Sequence, residues 1–227
     1  MALAGRRPLE HSPGMETLRL FGTPLSHFTR KVRIVLAELG VAYEYVRTGS
    51  VLAPTRAGYG ENPLLRVPTL VRGDVTIIDS DHIARYLVAL YDPADRLQVN
   101  SLAVESLNRL AVVTGIMNNE VVLLLAKRAG LADLETVAYF RKLRSAIDGG
   151  LDWLEARVEV DEPSFTYPDV ALTCLWQHLV HYDLVPEPAR YPRIAARVDQ
   201  AMQRPSVAST TPARSLEDAA AAGWKPS

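Results

Sequence analysis

Apolar residues at Leu18 and Leu20 alternate with polar neighbours over Thr17 to Phe21, the period of a half-buried strand. Gly22-Thr23-Pro24 breaks that run. Phe28, Val32, Val35, Leu36 and Leu39 then recur at spacings of 4, 3, 1 and 3, which predicts an amphipathic helix. Arg30, Lys31, Arg33 and Glu38 mostly fall on its other faces, and Gly40 is placed to end it. Tyr43 and Tyr45 alternate within Val41 to Val46 as a second strand, so this β-α-β order predicts a right-handed parallel crossover. Residues 49–63 hold glycines and prolines without periodicity and predict a loop with room for one irregular helix. Thr69 to Val71 and Val75 to Ile78 flank Arg72-Gly73-Asp74 as a hairpin. Ile83, Tyr86, Leu87 and Leu90 mark another helix. This order of elements belongs to a small mixed sheet with helices on it.

After Asp92-Pro93 the pattern changes. Leu107, Leu110, Thr114, Met117, Val121 and Leu124 form a long helical stripe beginning near Ser101, and Val137, Phe140, Ile147, Leu151 and Leu154 form a second. Pro163 closes that region, and Thr166 to Tyr182 and Pro192 to Gln203 predict two further helices. No strand pattern returns and no repeat is present. The expected organisation is a disordered leader over residues 1–14, an α/β domain over 15–92, a linker over 93–100 and an all-helical domain over 101–204. Ser, Thr, Pro and Ala dominate residues 205–227, which predict a tail that crosses the surface or is disordered.

Composition narrows the function. A chain of 227 residues with 48% apolar content suits two domains with buried cores. Lys and Arg number 25 against 26 Asp and Glu, so no bulk field gathers nucleic acid or coats a membrane. Cys174 is the single cysteine, which makes neither an internal disulfide nor a metal cluster. The five histidines are scattered without metal-ligand spacing, and no metal is expected. No apolar run approaches the ~20 residues of a membrane span. Met1 to Gly14 lacks the apolar stretch of a secretory signal, and the expected compartment is the reducing cytoplasm.

Three constellations carry chemistry. Ser26 precedes the first helix, where a hydroxyl caps a free N–H and the helix dipole favours an anion by ~0.3–1 kcal/mol. Pro68, just ahead of an apolar strand, is a candidate cis proline that would turn the Val67 backbone toward a peptide ligand. Asp79 and Ser80 open a helix directly after a strand, where a carboxylate meets an ammonium and a hydroxyl meets a carboxylate. Each also fits a purely structural reading: a plain N-cap, an ordinary trans proline, a second cap.

Taken together, in this order and spacing, the three segments resemble the glutathione transferase family. The resemblance spans about Thr17 to Leu90 and rests on Ser26-x-Phe28 at the helix start, Asn62-Pro63-x-x-x-Val67-Pro68-Thr69-Leu70 and Asp79-Ser80-x-x-Ile83-x-x-Tyr86-Leu87. Thr166-x-x-Asp169 resembles the family's capping box at the start of a buried helix. The resemblance implies a thioredoxin-like N-terminal domain that binds glutathione, followed by the all-α domain. It implies that Ser26 donates to the glutathione thiolate and that Val67 pairs by its backbone, with Pro68 cis. Phe28 falls at a family position of the same site, Asp79 and Ser80 would hold the γ-glutamyl end, and Arg66 would meet a carboxylate. His27 stands where proline is common and Asp79 where glutamate is commoner, while Thr23 is a rival hydroxyl. Serine at position 26 forms no mixed disulfide, so thiol–disulfide exchange is disfavoured. The implied activity is conjugation of glutathione, the co-substrate, to a small electrophile by a homodimer. The electrophile would lie against Val113 and Met117, which fit an ordinary core equally well. Isomerase, dehalogenase or peroxidase chemistry, and a non-enzymatic binding role, are the alternatives.

Overall fold

A computed structural model describes residues 17–52, 54–131, 136–185 and 187–224. The expected leader over 1–14 lies outside the described residues. The N-terminal half contains β1 (Leu18–Gly22), α1 (His27–Glu38), β2 (Glu44–Arg47), β3 (Thr69–Arg72), β4 (Val75–Ile78) and α2 (Ser80–Tyr91). The sheet order is β2-β1-β3-β4, with β1 parallel to β2 and antiparallel to β3, as the crossover and the hairpin require. Gly22 permits the tight passage from β1 into α1, because a Cβ there would lie 2.2 Å from the Thr29 methyl carbon. Leu18, Leu20 and Leu70 of the sheet pack with Val32, Val35 and Leu36 of α1 and Ile83 and Leu87 of α2. This is a thioredoxin-like domain followed by an all-α domain.

The helical half comprises α3 (Val104–Arg128), α4 (Ala138–Glu155), α5 (Tyr167–His181), α6 (Pro192–Ala201), α7 (Pro205–Ala208) and α8 (Pro212–Ala221). α3 is long and apolar enough, by length and composition, to cross a membrane. It also holds a fully buried carboxylate, Glu120, and packs against α4 and α5. α5 is the central helix, with both Leu175 and Leu179 fully buried. Its first turn is built by the expected box: Asp169 accepts from the Thr166 N–H and hydroxyl at 2.9 and 2.7 Å. Asp169 also pairs with Arg197 at 2.9 Å and Arg109 at 2.9 Å, so the cap anchors α3 and α6 as well.

The expectation of a tail after Pro205 is corrected. Each of α7 and α8 begins at a proline, whose fixed φ suits the first helical turn. Thr211 caps α8, and the buried Val207, Ser215 and Ala219 dock the pair on the rest of the chain. A Ser/Thr/Pro/Ala composition reads equally as helix starts and as loop, and docking decides between them.

Burial raises the Asp169 pKa, but Arg197, Thr166 and Arg109 outweigh it and hold the carboxyl below its ordinary value. Asp169→Ala strands the buried Arg197 and is expected to cost about 3–5 kcal/mol, against about 1 kcal/mol for Thr166→Ala. The folded pKa is depressed, so the Asp169 contribution is complete above the unfolded value of about 3.9 and is lost as pH falls through the folded value. Urea unfolding across pH checks both points: the gap between wild type and Asp169→Ala should narrow below about pH 4.

Candidate functional site

Register places the three constellations at one edge of the sheet. Phe21 pairs with Thr69, and Thr69 with Ile78. The chain leaving β1 toward Ser26, the chain entering β3 through Val67-Pro68, and the chain leaving β4 into Asp79-Ser80 therefore open at the same end. Ser26 is the N-cap of α1, its Oγ accepting from the Thr29 N–H at 3.1 Å. Used as an acceptor there, the hydroxyl keeps its proton to donate outward. Ser26 is half-buried, whereas Thr23 is 8% exposed.

The Val67-Pro68 peptide is cis. Asn62 braces its approach, donating to the Arg66 carbonyl at 2.8 Å and the Thr69 hydroxyl at 3.2 Å. Arg66 is exposed beside it, and Val67 is half-buried. Asp79 has φ 76°, a sparsely populated conformation for a residue with a Cβ and one concentrated at functional sites. Its Oδ1 caps α2, accepting from the Asp81 and His82 N–H groups. The Ser80 hydroxyl is buried and has no partner among the described residues.

Behind these loops lies an ionic junction that no sequence pattern announces. Lys31, 0% exposed, pairs with Asp81, and the Tyr167 hydroxyl donates to the same Asp81 oxygen at 2.7 Å. Burial raises the Asp81 pKa, but Lys31 and Tyr167 outweigh it and the carboxyl stays below its ordinary value. Burial, reinforced by Asp81, pushes the Tyr167 phenol well above its own. Phe28 is half-buried against the helical core, with the Lys31 ammonium 5.6 Å from its ring centre.

Val113 and Met117 do not form an electrophile pocket. They are 1% and 0% exposed and lie in the core between α3, α4 and α5. Their helical spacing marks a face turned to α5. Cys174 is buried, and burial raises its thiol pKa.

The histidines are less scattered in space than in sequence. His27 of α1 and His178 of α5 stack at 4.0 Å and flank Glu120 of α3. His27 Nε2 lies 2.7 Å from one Glu120 oxygen and His178 Nδ1 3.1 Å from the other. Burial lowers the His27 pKa to about 4, with Glu120 opposing and His178 and Lys31 assisting. The three residues are 93 and 58 positions apart along the chain (27, 120 and 178), and only the packing of three helices unites them.

Residues 20–95 match the family described as the glutathione S-transferase N-terminal domain. No curated protein matches the chain significantly. Solved structures do. A glutathione transferase family member from Pseudomonas fluorescens, with bound glutathione, is 28% identical with TM-score 0.73, over 86% of this chain and 99% of its own. A glutathione transferase homologue from Drosophila mojavensis, also with bound glutathione, is 26% identical with TM-score 0.71, over 93% and 99%. A bacterial maleyl pyruvate isomerase of the Zeta class shares the fold at 22% identity and TM-score 0.67, over 86% and 97%.

Tyr167→Phe removes a hydrogen bond to an ionised carboxylate and is expected to lower stability by about 1.5–3 kcal/mol. Chemical denaturation checks this. A loss below ~0.5 kcal/mol would show that the Tyr167–Asp81 contact contributes little.

Proposed function

We propose that this chain, which carries a glutathione S-transferase N-terminal domain within the glutathione transferase fold, binds glutathione and delivers its thiolate to a small electrophile. The observation that carries this reading is the convergence of Ser26, the cis Val67-Pro68 peptide and Asp79-Ser80 at one sheet edge. The glutathione bound in the relatives from Pseudomonas fluorescens and Drosophila mojavensis supports the same ligand.

In this reading Val67 pairs by its backbone with the cysteinyl residue, and Arg66 meets a carboxylate. The Ser80 hydroxyl, unpartnered among the described residues, takes the γ-glutamyl carboxylate. The second carboxylate oxygen of Asp79 takes the ammonium, because Oδ1 is engaged in the cap. Ser26 donates to the sulfur. Lowering a thiol pKa from ~8.5 by about two units requires roughly 2.7 kcal/mol. One charge-assisted hydrogen bond at a helix N-terminus is of that order. The protein acts in the cytoplasm as a homodimer in this proposal. Exposed Leu90 and Tyr91 of α2, with Leu102, Val104 and Leu107 at the start of α3, supply apolar surface for that contact.

Ser26→Ala is expected to keep glutathione affinity within a few fold and to raise the bound thiol pKa by about a unit or more. Conjugation near neutral pH should fall about tenfold or more and recover partly at high pH. Ultraviolet titration of the bound thiolate in wild type, Ser26→Ala and Thr23→Ala reads this directly. Loss in Thr23→Ala but not in Ser26→Ala would move the role to Thr23.

Asp79→Asn is the more informative change at the other end, because the amide oxygen retains the helix cap and only the charge is lost. Affinity for glutathione should weaken by at least ~1.5 kcal/mol, about tenfold. Unchanged affinity by calorimetry would remove Asp79 from the site.

A further inference from the structure

Glu120 is 0% exposed, yet no Lys or Arg pairs with it among the described residues; Lys31, the one buried lysine among them, is committed to Asp81. Its neighbours are two imidazoles. His178 Nδ1 approaches one oxygen in hydrogen-bonding geometry at 3.1 Å. His27 Nε2 comes closer to the other, 2.7 Å, an ion-pair contact short of the alignment of a hydrogen bond, and neither atom has another partner among the described residues. A carboxylate oxygen and an imidazole nitrogen in contact yet not aimed at each other are placed like two ligands of one ion. An ion about 2.1 Å from each would lie about 50° off the line joining them. The three ligand atoms lie within 4.8 Å of one another.

We propose that His27 Nε2, His178 Nδ1 and the Glu120 carboxylate bind a divalent first-row transition ion of the zinc kind. Two imidazoles and one carboxylate suit such ions, whereas Mg²⁺ and Ca²⁺ prefer oxygen throughout. Three protein ligands leave a position for water or another donor. The stacked rings, 4.0 Å apart, separate by about 1 Å and turn their nitrogens inward to take one ion as neighbouring tetrahedral ligands. The dication balances the buried carboxylate, and His27, the first residue of α1, is one of its ligands. The proposal does not rest on glutathione binding, and its test does not use it.

The full-length, tag-free protein is stripped with chelator and titrated with Co²⁺. The expected result is visible d–d absorption that saturates at one ion per chain and is displaced by Zn²⁺, with Zn²⁺ also raising the melting temperature. Glu120→Gln and His178→Asn should weaken Co²⁺ about a hundredfold or more. Cys174→Ser should leave the absorption intact, since it removes the one thiol, which lies outside the cluster. X-ray absorption of cobalt-loaded wild type should count two imidazoles, which decides the matter even where a variant does not fold. A folded wild type with a featureless Co²⁺ spectrum and no Zn²⁺-dependent melting overturns the proposal, leaving a closed hydrogen-bonded cluster. Bands that survive Glu120→Gln, or vanish in Cys174→Ser, overturn it equally.

Discussion

α1 is covered on both sides. Val32, Val35 and Leu36 face the sheet, while His27, Arg30 and Lys31 face the helical domain, and all six are buried. A buried charge is tolerated only with partners, so the second domain must supply what water would have supplied. It does so in several places. Lys31 shares Asp81 with Tyr167 of α5, and Arg30 donates to the Val207 carbonyl and the Thr210 hydroxyl. His27 meets Glu120 of α3 and His178 of α5. The helix that begins at Ser26 is thus positioned from the far domain as much as from its own sheet.

The same constraint explains why the end of the chain folds back. Glu38, in the last turn of α1, is held by Arg204 and Ser206, and these outweigh the upward push of burial on its carboxyl. Arg33 donates to Ser215 of α8, and the Trp224 indole donates to the Thr48 carbonyl just after β2. Polar groups on α1 and β2 that a lone thioredoxin-like domain would expose to water are satisfied by residues about 170 positions later. Helical structure after Pro205 follows from that demand rather than from local propensity.

The hydrophobic period made the elements legible, because a face buried against one's own sheet leaves a regular trace at Leu18, Leu20, Val32 and Val35. The loops at Ser26, Val67-Pro68 and Asp79-Ser80 were legible for a different reason: turn chemistry is local. What stayed hidden was long-range. Arg30 and Lys31 read as a solvated face because nothing nearby in sequence reveals the domain that covers them. Val113 and Met117 share one periodic stripe whether that stripe lines a cleft or fills a core. The His27–Glu120–His178 cluster leaves no spacing signal at all, since each member comes from a different helix.

Two helices, α1 and α2, begin at the same sheet edge, each with a serine at or beside its first turn. Each N-terminus favours an anion by ~0.3–1 kcal/mol, and the two contributions add only if the helices keep a fixed relation. Lys31 of α1 and Asp81 of α2 form the bond that fixes it, and Tyr167 locks that bond to α5. Asp79 adds the remaining condition. Its strained φ of 76° turns the chain sharply enough for Asp79 to cap α2 through one oxygen, and the Ser80 hydroxyl beside it keeps no partner among the described residues. Strain at one residue and an ion pair behind it together convert two ordinary helix starts into one preorganised edge.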